Sequence, residues 1–487
     1  MQRVASSFTI LIMEINNQGP QIIPRVLIFP IPAQGHVSPM LNLAELLAMS
    51  GLHVTFLNTD HIHNRLIKYT DVKTRCTKYP GFLFKTISDG LEKEHGKSVW
   101  DFIFHLQKNI KPVLKEMLVS GQLGSGESPY ITYMILDGLF GEFTIDVAEE
   151  LGIPCVHFRT ASACCFWSFF FFPRLVDTGE IPITDMDRLV TSVPGMESFL
   201  RCRDLPSLCR VSDTTDKAFQ MIPQVANHSR RARAIILNTF EDLEGPIVNR
   251  LTEFCPNIYT IGPLHAHLND KLSNSLYDVD RSCLTWLNSQ PPKSVIYVSF
   301  GSVAIMTKPE LIEFWYGLVN SKHRFLWAMR PDMLVGIEDG DNSILAELKE
   351  ATRERGFMVG YAPQEQVLAH TAVGGFLTHS GWNSTLESIV SGVPMICWPS
   401  FADQQINSRF VSRVWNLGLD MKDVSDRKVV ERMVNDLMVK RREEFVKSTA
   451  EMARLAKMSV NEGGSSYSNL KRLIEDIRVV GASENTT

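Results

Sequence analysis

Along most of the chain, short runs of consecutive apolar residues alternate with stretches in which apolar residues recur every three or four positions. The first pair is Val26-Leu27-Ile28-Phe29, followed by Met40, Leu43, Leu46 and Leu47. A strand that is apolar at every position has to be covered on both faces, and regular alternation with helices supplies that cover, so the pattern implies parallel sheets in an α/β, doubly wound architecture. Further strands are expected at His53 to Asn58, Tyr133 to Leu136 and Cys155 to Phe158, with a helix from about Phe143 to Leu151. Ser38-Pro39 reads as N-cap and first helical residue, which leaves Pro32 to Val37 as the turn after the first strand.

The pattern lapses between His265 and Arg281, where Asn, Asp, Ser and Lys dominate, and resumes at Ser294 to Val298 with strands near Phe325 to Ala328, Gly375 to Thr378 and Met395 to Trp398. A chain of 487 residues exceeds what one core usually fills. The expected division is an N-terminal extension 1–24, with Met13 as an alternative start, a first domain 25–264, a linker 265–281 and a second domain 282–460. After the breaker that starts at Asn461 comes a C-terminal helix within 461–480, with the N-terminal domain one candidate for its partner, and then a tail 481–487.

Lys and Arg total 49 against 54 for Asp and Glu, so the net charge of -5 gives no electrostatic reason to expect nucleic acid or anionic membrane as partner. The densest apolar segment, Ala161 to Phe172, is shorter than the roughly 20 residues of a membrane span. Nine cysteines without a CxxC pair do not form a disulfide framework or zinc site; with no good secretory signal, the expectation is a cytoplasmic monomer.

Ligands of doubly wound sheets sit at the carboxyl ends of strands. The first such turn carries Gln34-Gly35-His36, and Tyr133-Met134-Ile135-Leu136 ends in Asp137, so a candidate base and a carboxylate to orient it stand at one sheet edge; Asp137 reads equally as a turn residue or cap. In the second half Thr378 runs into His379-Ser380-Gly381-Trp382-Asn383-Ser384 and then a helix, whose N-terminus suits a phosphate, with Ser299-Phe300-Gly301-Ser302 able to join it. Glu387 stays ambiguous between a capping box with Ser384 and a ribose acceptor. The chain lacks GxGxxG in the first turn, a Walker A sequence, HExxH and GxSxG, which counts against dinucleotide binding, P-loop chemistry, metal catalysis and an α/β-hydrolase.

Tyr361 to Gln404, with Ala362-Pro363-Gln364, His370, Thr378-His379, Gly381-Trp382-Asn383-Ser384, Glu387, Trp398-Pro399 and Asp403-Gln404, closely resembles the signature block of plant UDP-glycosyltransferases. The resemblance extends over nearly the whole chain after Pro24. It implies a GT-B fold, two Rossmann-like domains facing across a cleft, with inversion at the anomeric carbon, UDP-glucose as donor substrate and neither metal nor cofactor. On it, His36 matches the general base and Asp137 its supporting carboxylate. His379, Asn383, Ser384 and Ser302 match diphosphate ligands, Glu387 the ribose ligand, and Ala362 and Gln364 positions at the nucleoside. Trp382, Asp403 and Gln404 match residues that read sugar hydroxyls, Gln404 suggesting glucose, and Thr160 a donor-sugar contact.

Two positions depart from the family. Tyr361 replaces the usual tryptophan on the uracil, and Ser380 the commoner cysteine. Phe166 to Phe172 reads either as core or as the lining of a lipophilic pocket. The segment Tyr79 to Leu91 is most similar to members acting on iridoid and other terpenoid acceptors, with phenolic or flavonoid acceptors as alternatives. A UDP-sugar-binding protein without catalysis is the competing reading, and His36 and Asp137 argue against it.

Overall fold

A computed structural model describes residues 23–90, 99–126, 129–255, 257–268, 274–330, 333–335, 350, 352–353 and 355–483. Most of the expected N-terminal extension, part of the linker and the last residues of the tail lie outside that set. The first half holds β1 (Arg25–Phe29), β2 (His53–Thr59), β3 (Phe82–Ile87), β4 (Tyr133–Asp137), β5 (Cys155–Arg159), β6 (Ala234–Leu237) and β7 (Ile258–Thr260) in one parallel sheet of order β3-β2-β1-β4-β5-β6-β7. Next come β8 (Val295–Ser299), β9 (Met306–Thr307), β10 (Arg324–Ala328), β11 (Leu334–Val335), β12 (Gly356–Val359), β13 (Val373–Thr378), β14 (Met395–Cys397) and β15 (Gly418–Asp420). Short β9 and β11 pair with each other, and the other six form a parallel sheet of order β12-β10-β8-β13-β14-β15. Both sheets reverse strand order beside their first strand, between β1 and β4 and between β8 and β13, which opens a crevice at the carboxyl edge of each. Strands β1, β4 and β8 are buried along their whole length, as their unbroken apolar runs require.

The first helix differs from its expected start. It spans Gln34–Met49 with Ala33 as N-cap, so Pro39 lies inside it and His36 in its first turn. Proline has no N–H to offer the carbonyl four residues earlier. That carbonyl, on Gly35, accepts instead from Asn383 Nδ2 of the second domain at 2.9 Å. The helix therefore starts early because tertiary structure satisfies the group that Pro39 leaves open.

The C-terminal helix Ser465–Ser483 crosses back to the first domain, where Leu470, Leu473 and Ile477 join the core around Val26, Ile28 and Tyr133. Arg472 Nη2 donates to Ile258 O at 2.6 Å and Ser466 Oγ to Gly262 O at 2.6 Å. Of the Phe166 to Phe172 run, only Phe169 reaches the large cavity described below; Phe166 and Phe172 are wholly buried core.

The two halves share one apolar core, fastened by two indoles. Trp382 Nε1 donates to Asn238 O at 2.9 Å and Trp415 Nε1 to Leu243 O at 3.0 Å. Beside them Asp204, fully buried, meets Arg201 Nε at 2.9 Å, Arg409 Nε at 3.3 Å and the Lys422 ammonium, which also lies 3.0 Å from Asp420. Burial would raise the Asp204 carboxyl, but the Arg201 and Lys422 bonds outweigh it and hold it below its ordinary value. A depressed carboxyl contributes stability above its unfolded pKa, and that contribution is lost as pH falls through the folded one. Asp204→Ala leaves the buried Lys422 with Asp420 as its one remaining carboxylate and is expected to cost about 1 to 3 kcal/mol in urea unfolding at pH 7. The difference from wild type should shrink below about pH 4; an equal difference at pH 3 would contradict the ionic origin.

Candidate active site

A cavity of about 340 Å³ lies where the carboxyl edges of the two sheets meet. The first sheet supplies an imidazole and a carboxylate. His36 Nδ1 is 2.6 Å from Asp137 Oδ2, which also accepts from Ile31 N at 3.3 Å, while Oδ1 accepts from Leu139 N at 3.0 Å. Burial alone would raise the Asp137 carboxyl; the His36 ring and the two backbone donors overcome it and keep the group ionised, below its usual range. An anionic Asp137 fixes the proton on Nδ1 and leaves Nε2 as a free acceptor. Thr160 Oγ1 stands 3.1 Å from the same Nδ1, so its hydroxyl is part of the imidazole's surroundings.

The second sheet supplies a polar helix terminus. The helix Trp382–Ser391 has Gly381 as N-cap, and Thr385 is the first residue whose N–H bonds back within it, so the amides of Trp382, Asn383 and Ser384 have no partner inside the helix. His379 lies between Gly301 and Gly381, where a Cβ would approach its Nε2 to 2.5 and 2.4 Å, which makes glycine necessary at both. Burial pushes the His379 pKa down to about 4, against the Ser299 backbone bond, so the ring is neutral at pH 7. Ser302 lines the cavity beside it.

Glu387 does not cap this helix, because the terminus falls at Gly381 and leaves Ser384 as the third helical residue. Its Oε2 accepts from Gln364 Nε2 at 2.7 Å, an amide shared with Ser384 Oγ at 2.8 Å, while Tyr297 OH meets Gln364 Oε1 at 3.2 Å. Burial, with Glu365 nearby, raises Glu387 to about 8. Burial also raises Asp403 to about 6, partly offset by Asn407 Nδ2 at 2.8 Å. Gln404 Oε1 caps Ser400 N and Phe401 N at 2.8 and 3.0 Å, turning its amide NH₂ to other duties. Trp382 lines the cavity, but its indole N–H is committed to Asn238, which leaves its backbone amide as the group it can offer a ligand.

The structure thus brings His36, Asp137 and Thr160 of the first half to one cavity with Ser302, Tyr361, Ala362, Gln364, His379, Trp382, Asn383, Ser384, Glu387, Asp403 and Gln404 of the second, while Ser380 and His370 do not line it. It adds two arginines to that wall and, outside it, a partner for Tyr361: Tyr277, from the polar stretch before β8, stacks on Tyr361 with centroids 4.8 Å apart and planes at 18°, and Arg65 lies 4.4 Å from the Tyr277 ring centroid. Arg330, just after β10, ties the turn at Gly301 and Ala304 by bonds of 3.2 and 2.9 Å. Arg159, the last residue of β5, reaches the wall beside Asp137. Arg159 ends β5 and Arg330 follows β10 by two residues, so each stands at the carboxyl edge of its sheet, and that placement is the signal that could have found them.

Residues 151–447 match the family model for UDP-glucoronosyl and UDP-glucosyl transferase, more than half of the chain, and the chain belongs to that family. It is a UDP-glycosyltransferase of GT-B fold, and its donor is a UDP-sugar. It is 52% identical over 480 residues to a 7-deoxyloganetic acid glucosyltransferase of Catharanthus roseus, covering 95% of this chain and 99% of that one. A myricetin 3-O-rhamnoside 1,2-glucosyltransferase of Crocosmia x crocosmiiflora is 43% identical over 93% of this chain and 95% of its own. The crystal structure of Os79 from O. sativa with UDP superposes with a TM-score of 0.78 at 27% identity, covering 93% of this chain and all of that one.

With Glu387 raised to about 8, a role in accepting the ribose hydroxyls would require it to release its proton on binding. UDP affinity is therefore expected to rise about tenfold between pH 7 and 9, above the range in which the diphosphate itself titrates. Calorimetry on wild type and Glu387→Gln checks this: the variant should be flat over that range, and an equal slope in both would remove Glu387 from the nucleotide site.

Proposed function

We propose that the chain transfers glucose from UDP-glucose, with inversion, to a hydroxyl of a small lipophilic terpenoid acceptor. The observation that carries the reading is the His36–Asp137 pair placed across one cavity from the helix terminus at Trp382. His36 Nε2 takes the acceptor's proton as its oxygen forms the new bond to C1, the C1–phosphate oxygen bond breaks, and UDP departs with the electron pair. Asp137 stabilises the imidazolium that results. The charge on the leaving diphosphate falls to the helix amides, His379, Asn383, Ser384 and Ser302, the uracil to Tyr361, Ala362 and Gln364, and the ribose to Glu387. Asp403, Gln404 and Thr160 face the sugar, and Gln404 supports glucose as the donor sugar.

The terpenoid acceptor is supported by the Catharanthus relative and by a 7-deoxyloganetin glucosyltransferase of Gardenia jasminoides, 40% identical over 92% of this chain. The myricetin glycoside named for the Crocosmia relative favours a flavonoid as second reading. Nine buried, unpaired cysteines support a cytosolic location, and among the described residues no helix is long and apolar enough to cross a membrane. A monomer suffices, since one chain builds the whole site.

Mass-spectrometric product detection with UDP-glucose and paired terpenoid and flavonoid acceptors tests the assignment; products only from flavonoids would replace it by the second reading. His36→Ala is expected to lower kcat about 10²- to 10⁴-fold with UDP affinity unchanged, and wild-type turnover would sink the base. Tyr361→Ala should weaken UDP by about 1 to 3 kcal/mol in the same titration if the ring stacks on uracil. Unchanged affinity would leave the uracil to other groups.

A further inference from the structure

The cavity wall beside His36 and Asp137 holds a cation that the reaction above does not use. Arg159 closes β5, one residue before Thr160, whose hydroxyl touches the His36 ring. Its side chain is 3% exposed and lies on the cavity wall. Among the described residues it makes no hydrogen bond and no ion pair. Its guanidinium rests 4.4 Å over the Phe166 ring, and Nη1 is buried without a partner. The backbone opposite is shaped to admit it, since a Cβ on Gly138 would come within 2.6 Å of both Cδ and Nη1.

A buried guanidinium with no acceptor is costly, and arginine retains its charge: burial brings it down only to about 10, with Asp137 pulling the other way. Asp137 compensates Arg159 through Coulombic attraction without a hydrogen bond to it; its oxygens hold His36, Ile31 N and Leu139 N. The rings nearest its guanidinium, Phe166 at 4.4 Å and Phe169 at 6.0 Å, give it no hydrogen-bond acceptor. A ligand carboxylate would supply what the protein withholds, and arginine's planar fork suits a carboxylate better than any neutral group.

We propose that Arg159 selects acceptors bearing a carboxylate in addition to the hydroxyl presented to His36, and orients them by pairing with that carboxylate. The carboxylate is an anchor; the bond to C1 forms at the hydroxyl. Arg159 is on this account a specificity and positioning residue, and the proposal rests on the reading of His36 as the base that meets the acceptor. It deepens that reading by making the acceptor an anion at neutral pH.

The test uses the full-length enzyme, wild type, Arg159→Gln and Arg159→Lys, with two acid and methyl ester pairs: 7-deoxyloganetic acid and its methyl ester, and 4-hydroxycinnamic acid and its methyl ester. KM for each is measured at saturating UDP-glucose, and UDP affinity by calorimetry serves as the check on folding. Wild type should show the lower KM for the acid of whichever pair it turns over. Arg159→Gln should raise KM for the acid about 10- to 100-fold, the usual worth of a charge-assisted bond, while the ester and UDP stay within about twofold; Arg159→Lys should recover part of the loss. A variant that shifts acid and ester alike, or a wild type that prefers the esters, overturns the proposal. If only the phenolic pair is turned over, the terpenoid reading falls and that pair still decides the role of Arg159. If neither pair is turned over, tryptophan fluorescence titration of the four compounds into the enzyme with UDP decides it. An acid preference that vanishes in Arg159→Gln supports the proposal, and equal or no binding overturns it.

Discussion

The cleft exists because two sheets are held edge to edge by contacts that water cannot reach. The indole N–H groups of Trp382 and Trp415 end on main-chain carbonyls of the opposite half, and the Asp204 carboxylate gathers cations from both. Each half alone would expose a switch point with only part of the cavity's polar groups: the His36–Asp137 pair without the helix terminus at Trp382, or that terminus without the pair. The site is therefore a property of the interface, and residues far from the reacting atoms set its geometry. Trp382 serves both ends at once, its side chain in the interface and its backbone amide at the helix terminus.

Carboxyls in the same cleft are driven in opposite directions by their surroundings. Asp137, with an imidazole and two amides on it, stays ionised below its ordinary range, whereas Glu387 and Asp403, desolvated with only an amide side chain each, are pushed to about 8 and about 6. The contrast follows from the donors that each carboxylate meets, and on the proposed reaction it separates a group that keeps its charge from groups that would gain partners with a ligand.

Much of this was legible in the sequence because strands end where their apolar runs end, and the next polar residue then stands at the sheet edge; Asp137 after Leu136 and His379 after Thr378 are found in that way. The short strands β6, β7 and β15 carry too few residues to show a period. The helix start at Gln34 was hidden because Pro39 inside it is tolerated only through a bond from Asn383, a residue far along the chain. The same holds for Glu387: its local spacing suits a capping box, and only the position of Gly381 sends it into the cavity. Arg159 and Arg330 were passed over because a single charge at the end of an apolar strand carries no spacing to test.

The return of the C-terminal helix to the first domain has a mechanical side. The chain passes between the two sheets twice, once in the stretch between β7 and β8 and once between Val460 and Ser465, and the second passage is anchored by Ser466, Asn469 and Arg472 on the strand end and loop around Ile258 to Gly262. Two bodies joined at one point can swivel in any direction; joined at two, they keep only rotation about the line through both. The second passage is thus a second pin beside the shared core, and it takes away freedom that the linker alone would leave to the alignment of Gly35 O with Asn383.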